Sequence, residues 1–403
     1  MDIFVARQPV FTAKRRIFGY EILFRLGLEN SFPGIDGDTA TSSVLINTFF
    51  TLGLDGILRG RPGLINFTRE LILKKTPLLF PQDRIIIEVL ENIEPDPEII
   101  KSLTEFRNKG FSIALDDFVY DDKFKSVMPL CSIIKFDIQA TPLDTLGSLT
   151  EDLKEDFHPT LLAEKVETYQ EFNQAKEMGF ELFQGFFFSK PEILSGKDIS
   201  VAQMTKLRLI SEINRDDQDL ERIESLIKKD VSVSYKLLKF MNSTYFQRIQ
   251  AVDTIKEALL VLGMDELKKF IHVVVVSELN DTKPDELIRS SIIRARMYEQ
   301  LGRLIKTDFS GDELFTIGIF SFMDAILDIS MDKILERIGL SERIKTALLG
   351  RDKQFEKIHT LVACVERGDW SHRLFQVFQG HKVLDRLPKF YMDAVRMADS
   401  FFI

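Results

Sequence analysis

The strongest constraint in this sequence is a change of hydrophobic period near residue 198. Upstream of it, short apolar, β-branched runs recur: IFGYEILF (17–24), LINFT (64–68), RIIIEVLE (84–91), FSIALDDF (111–118), IIKFDI (133–138), TLLAEKVE (160–167) and LFQGFFFS (182–189). Between several of them the spacing turns helical, as in DPEIIKSLTEFRNKG (96–110) and TYQEFNQAKEMGF (168–180). Strands alternating with amphipathic helices build a parallel sheet with crossover helices, and seven or eight such runs favour a closed barrel over an open sheet. Downstream, apolar residues fall at i, i+3, i+4 and i+7 through DLERIESLIKKD, TIKEALLVLGMDELKKFIHVVVVSEL and the segments that follow, so the second half reads as all-helical. Pro, Gly and Ser in PEILSGKD (191–198) mark the join. The expected organisation is an α/β domain over 1–197 and an all-α domain over 198–403.

Length and composition fit that division. A chain of 403 residues, 45% apolar and 29% charged, has material for two ordinary cores. No stretch approaches the ~18 consecutive apolar residues of a membrane helix, and the start, MDIFVARQPVF, lacks a basic region followed by an apolar run, so a cytoplasmic location is expected. Cys131 and Cys364 are too few and too far apart for a disulfide framework and read as reduced, buried thiols. The net charge of −9 lies entirely in the first half: residues 1–200 hold 22 Lys and Arg against 31 Asp and Glu, and the remainder 31 against 31. Such a half offers no basic face for general nucleic-acid binding, and a phosphate ligand there would need metal cations.

Acid and amide residues cluster inside or at the C-terminal ends of the predicted strands, where barrel enzymes place their chemistry. In chain order these positions are Glu21, Asn66, Glu88 with Glu91, Asp116 with Asp117, Lys135 with Asp137, Glu164 with Glu167, and Gln184. A carboxylate within an apolar strand is costly unless compensated, and several at one end of a barrel point to hard divalent cations with oxygen ligands.

In this order the residues resemble the EAL domains, bacterial cyclic di-GMP phosphodiesterases, over roughly residues 1–192. The similarity is carried by Glu21-x-Leu23-x-Arg25, Asn66, Glu88 with Glu91, Asp116-Asp117-Phe118, Lys135-x-Asp137, Glu164-x-Val166-Glu167 and Gln184-Gly185 followed by Lys190-Pro191. The resemblance implies a modified (β/α)8, TIM-like barrel that hydrolyses cyclic di-GMP to linear pGpG. It implies a first Mg²⁺ or Mn²⁺ on Glu21, Asn66, Glu88 and Asp116, and a second position completed by Asp117 and Glu164. Lys135 would orient the attacking water or neutralise developing charge, and Glu164 would accept its proton. Leu23, Arg25 and Gln184 would contact the ligand, while Glu91, Asp137 and Glu167 would support loops and ligands. A homodimer through the barrels is usual for the family. The sequence departs from the active pattern where Val119-Tyr120-Asp121-Asp122-Lys123 replaces a glycine-bearing loop, where Leu90 replaces Thr, and where Lys165 replaces a Gly beside Glu164. The alternative role is an inactive EAL module that binds cyclic di-GMP as an effector or serves as a protein scaffold.

The helical half is similar to HDOD domains, non-catalytic relatives of HD-type phosphohydrolases, most closely over 220–275, with Asn242-Ser243 and Leu262-Gly263 at the matching points. Where catalytic relatives carry a His-Asp pair this chain has Ser321-Phe322, and His272, on an apolar helix face, reads as a core residue. The implied role is regulation or interaction with a protein partner that the sequence does not name.

Overall fold

The computed structural model describes residues 3–26, 58–189, 201–215, 220–229, 231–242, 252–279, 283–370, 372–378 and 382–402. The chain divides into two units, one of residues 1–188 together with 365–371, the other of residues 189–364 and 372–403. The join at 191–198 and the side chain of Arg25 lie outside the described residues.

The first unit is a closed barrel whose eight strands follow chain order: β1 (Ile3–Thr12), β2 (Ile17–Leu26), β3 (Gly63–Phe67), β4 (Ile85–Val89), β5 (Ser112–Leu115), β6 (Ile133–Asp137), β7 (Thr160–Glu164) and β8 (Leu182–Gln184). Helices α1 (Arg69–Leu73), α2 (Pro97–Asn108), α3 (Gly147–Asp156) and α4 (Tyr169–Glu177) lie in the crossovers. From β2 to β8 neighbouring strands are parallel, as the alternating pattern requires, but β1 runs antiparallel to both β2 and β8. The reason is the connection. Four residues separate β1 from β2, enough for a hairpin and far too few for a crossover. Arg15 takes the left-handed conformation (φ 59°) in that turn.

Period-two alternation then stacks the interior in layers. Val10, Leu64, Ile86, Ala114, Ile133, Leu162 and Leu182 form one buried apolar plug. Two residues further along each parallel strand come Asn66, Glu88, Asp116, Lys135, Glu164 and Gln184, all on the same inner face. On antiparallel β1 the equivalent step runs backwards, from Val10 to Gln8. Intervening residues such as Ile65, Ile87, Ile134 and Leu161 are buried on the outer face, the side that the crossover helices cover.

The regular elements described in the second unit are helices: α5 (Val201–Ile213), α6 (Leu220–Lys229), α7 (Val231–Met241), α8 (Ile255–Glu278), α9 (Asp285–Gly302), α10 (Gly311–Phe320), α11 (Lys353–Arg367, whose last residues from Val365 belong to the first unit) and α12 (Lys382–Ser400), with short helical turns between. Helix α8 is broken at Gly263, whose φ of 73° and ψ of 167° only glycine adopts without strain. The Asn242 amide clamps the end of α7 to the approach of α8, accepting from Val252 N at 2.8 Å and donating to Val252 O at 2.9 Å; Ser243 lies outside the described residues. Cys131 and Cys364 are buried, and neither is in a disulfide. No described helix is long and apolar enough to cross a membrane.

His272 sits in α8 as a core residue, 1% exposed, its ring 5.2 Å from that of Phe320. Neither ring nitrogen has a hydrogen-bond partner. Burial pushes the imidazole from 6.5 down to about 3. Between those values the unfolded chain binds a proton that the folded chain refuses, so stability is complete above pH 6.5 and is lost as pH falls toward 3. The slope is about 1.4 kcal/mol per pH unit. His272→Leu removes it, and the variant is expected to be more stable than the parent at pH 5 by about 2 kcal/mol, with a smaller gain at pH 8. Urea unfolding at the two pH values checks this; equal gains at both would dispose of it.

Candidate active site

The polar layer converges on one side chain. Lys135, fully buried in β6, places its ammonium 2.6 Å from Glu88 Oε1 (β4), 2.6 Å from Asp116 Oδ1, 2.9 Å from Glu164 Oε1 (β7) and 3.6 Å from Glu21 Oε1 (β2). Asp116 follows the last residue of β5, and its backbone N–H donates to Val89 O at 3.0 Å, which ties the acid to the end of β4. Gln184, at the end of β8, donates through Nε2 to Glu21 and to Gln8 Oε1, the latter at 2.8 Å. Gly185 follows at φ 146°, where a Cβ would overlap the backbone of Val166.

Four carboxylates around one ammonium leave a net negative pocket, and the titration of its members reflects that. Burial pulls Lys135 toward neutrality, but Glu164, Glu21, Glu88 and Asp116 overcome it and hold the ammonium charged well above the ordinary lysine range. Burial drives Glu88 far up despite Lys135. Burial likewise raises Glu164 to about 8, against the pull of Lys135 and with that of Asp116 and Glu21. Asp117 is raised by partial burial and by neighbouring Asp116.

Two acidic groups have the spacing of metal ligands: Glu21, Glu88 and Asp116, and then Asp116, Asp117 and Glu164, each with ligand atoms within 4.8 Å of one another. Asn66 stands in register with Glu88 across β3 and β4. The chemistry of the layer fits a hard cation, because Asn66 Oδ1, Glu88 Oε2 and Gln184 Oε1 are all buried without a hydrogen-bond partner. Each such oxygen costs ~1–3 kcal/mol unless it is satisfied, and oxygen-only donors suit Mg²⁺ or Mn²⁺.

The remaining positions separate. Asp137 accepts from Gln139 N at 2.8 Å, Ala140 N at 3.1 Å and Lys165 Nζ, a loop anchor next to the cluster. Glu91 and Glu167 are exposed and stand outside both acidic groups, and Leu23 is half-buried. The loop that lacks glycines needs none: the positive φ of this turn falls on Asp117 (φ 41°), and none of 118–126 has one. Phe118 anchors it, buried edge-on against Phe136 at 5.6 Å and Phe124 at 6.0 Å. Lys165, by contrast, takes φ 55°, a conformation that a glycine there would adopt freely. Gln8 was not legible as a site residue, because its inward position depends on the antiparallel course of β1.

In the helical unit the place of a His-Asp pair is filled differently. Arg294 lies 3.9 Å over the Phe322 ring and donates to Ser321 Oγ at 3.2 Å. Asp324 is raised by burial and bonds the backbone N–H of Ala325 at 2.8 Å. Among the described residues, both acidic groups with metal-ligand spacing belong to the barrel.

Comparison with known proteins follows the same division. Residues 50–191 match the EAL domain model and residues 201–338 the HDOD domain model. The cyclic di-GMP phosphodiesterase CdgJ of Vibrio cholerae is 35% identical over 374 residues, 91% of this chain and 86% of its own. The uncharacterized protein YuxH of Bacillus subtilis is 33% identical over 386 residues, 92% of each. A solved standalone EAL protein from Vibrio cholerae O395, bound to c-di-GMP, is 26% identical with a TM-score of 0.37, over 47% of this chain and 92% of that one.

Removing the ammonium should expose how much the cluster depends on it. Lys135→Met is expected to cost about 3–5 kcal/mol in urea unfolding with EDTA present, the usual penalty for stripping the partner from buried charges. A loss below about 1 kcal/mol would mean that the carboxylates are relieved by something other than Lys135.

Proposed function

From a chain that belongs to the family joining an EAL barrel to an HDOD domain, we infer a divalent-metal-dependent phosphodiesterase that opens cyclic di-GMP to linear pGpG. The observation that carries this reading is the ring of Glu21, Glu88, Asp116 and Glu164 around Lys135, topped by the unpartnered oxygens of Asn66 and Glu88. Glu21, Asn66, Glu88 and Asp116 would hold one Mg²⁺ or Mn²⁺, and Asp116, Asp117 and Glu164 a second. Bound there, such cations neutralise phosphate oxygens and lower the pKa of water.

The chain's own groups supply the rest. pGpG carries a 5′ phosphate and a free 3′ hydroxyl, so the P–O3′ bond breaks and the oxygen of water ends on phosphorus. Glu164 accepts the proton that water loses. Lys135 brings a fixed positive charge to the base of the pocket, and its three short contacts hold Glu88, Asp116 and Glu164 in place, so that little reorganisation accompanies the reaction. Gln184 offers its unpartnered Oε1 to a ligand N–H, Leu23 stands at the ligand edge of β2, and Arg25 would contact the ligand. The helical domain, with Arg294, Ser321 and Phe322 where a metal dyad would stand, acts as a non-catalytic regulatory or partner-binding module.

One observation favours a second reading, an effector-binding barrel without turnover. Lys165 interacts electrostatically with Asp117 and Glu164, so its ammonium competes with a cation at the second position.

The deciding experiment is conversion of cyclic di-GMP to pGpG by the purified chain with Mg²⁺ or Mn²⁺. Turnover is expected to stop in EDTA and to fall at least ~100-fold in Glu21→Ala, since even residues behind a metal ligand are worth 10–100-fold. Binding in Ca²⁺ without turnover in Mg²⁺ or Mn²⁺ would establish the effector reading, and absence of both would remove cyclic di-GMP altogether.

A further inference from the structure

We propose that residues 365–370 form a strap that positions the ligand edge of the barrel, with Arg367 and Gly368 acting as positioning residues through Gln8 and Leu23; the inference rests on the reading of the site as a cyclic di-GMP pocket. Although distant in sequence from every strand, this segment packs as part of the barrel unit. Its carbonyl at Arg367 accepts a hydrogen bond from Gln8 Nε2 at 2.8 Å. That bond decides which way the Gln8 amide faces. With its NH2 group on Arg367 O, Gln8 turns Oε1 toward Gln184 Nε2, 2.8 Å away, and Gln184 Nε2 donates in turn to Glu21. Reversed, Gln8 would set one NH2 group against another. The Arg367 carbonyl at one end and the Glu21 carboxylate at the other therefore hold the two amides in one orientation and leave Gln184 Oε1, in a residue only 4% exposed, as an acceptor with no partner in the protein.

Two further contacts fix the strap. Gly368 has φ 66°, and a Cβ there would overlap Leu23 Cδ1, so a larger residue strains the turn and pushes the Leu23 side chain aside. The Arg367 guanidinium lies 5.4 Å from the centre of the Phe186 ring, two residues after Gln184. The three contacts fall on β1, on β2 and just beyond β8. None falls on β4 to β7, which carry Glu88, Lys135 and Glu164. The strap thus meets the ligand edge directly and reaches the acidic cluster only through Gln184 and Glu21.

Trp370, the single tryptophan of the chain, lies in the strap and reports on it. With the full chain in Ca²⁺, titration with cyclic di-GMP is expected to change Trp370 emission saturably, with the same Kd that calorimetry gives. Gly368→Ala is expected to raise Kd and KM about tenfold, with kcat and Mn²⁺ affinity within about twofold of the parent, the pattern of lost ground-state binding. Gln8→Met should weaken binding in the same direction, and the double variant should lose less than the product of the two effects, because both interrupt one chain of contacts. Calorimetric binding with an unchanged Trp370 signal overturns the inference on the unaltered chain, whatever the folding of the variants. So does a Kd for Gly368→Ala within about twofold of the parent. Absence of cyclic di-GMP binding by the parent is a different result: the reading of the pocket fails, and the strap's role falls with it.

Discussion

Everything at the mouth of the barrel depends on the buried ammonium of Lys135. Four carboxylates within 3.6 Å of it could not stay charged in an apolar surround without a cation among them. One lysine compensates a single charge, and the excess gives this end of the barrel a donor set that suits divalent ions. The acidic balance of the first half of the chain is the large-scale trace of the same requirement.

The pocket has two sides with different work. β4 to β7 carry Glu88, Asp116, Lys135 and Glu164, whose short contacts make a stiff acidic floor. β1, β2 and β8 carry Gln8, Glu21, Leu23 and Gln184, tied by amide hydrogen bonds that have a direction and can be set by whatever satisfies their far end. Glu21 belongs to both sides: it faces Lys135 and accepts from Gln184.

Departures from the EAL pattern weigh unequally once backbone angles are known. After Asp117 the loop asks for no left-handed residue, because the positive φ falls on Asp117 and Phe118 is pinned by Phe124 and Phe136. Lys165 matters more: it holds a left-handed conformation and pairs with Asp137, placing a positive charge beside the second acidic group. In the helical unit, Arg294 packed on Ser321 and Phe322 occupies with one cation the ground that a metal dyad would need.

The sequence by itself determined which residues share a face. Leu64 and Asn66, Ile86 and Glu88, Ile133 and Lys135, Leu162 and Glu164 are placed by a period of two that belongs to each strand alone, and the switch to helical spacing near residue 198 is equally local. Glu21, Asn66, Glu88, Asp116, Lys135, Glu164 and Gln184 were therefore legible as positions inside or at the ends of strands before any strand was placed beside another. What only the tertiary structure decided depends on closure. The antiparallel course of β1 brings Gln8 to the polar layer, the meeting of four strands sets which carboxylates reach Lys135, and the Arg367 carbonyl comes to accept from Gln8. These contacts join positions far apart in the chain, and no periodicity within one segment encodes the distance between two strand ends.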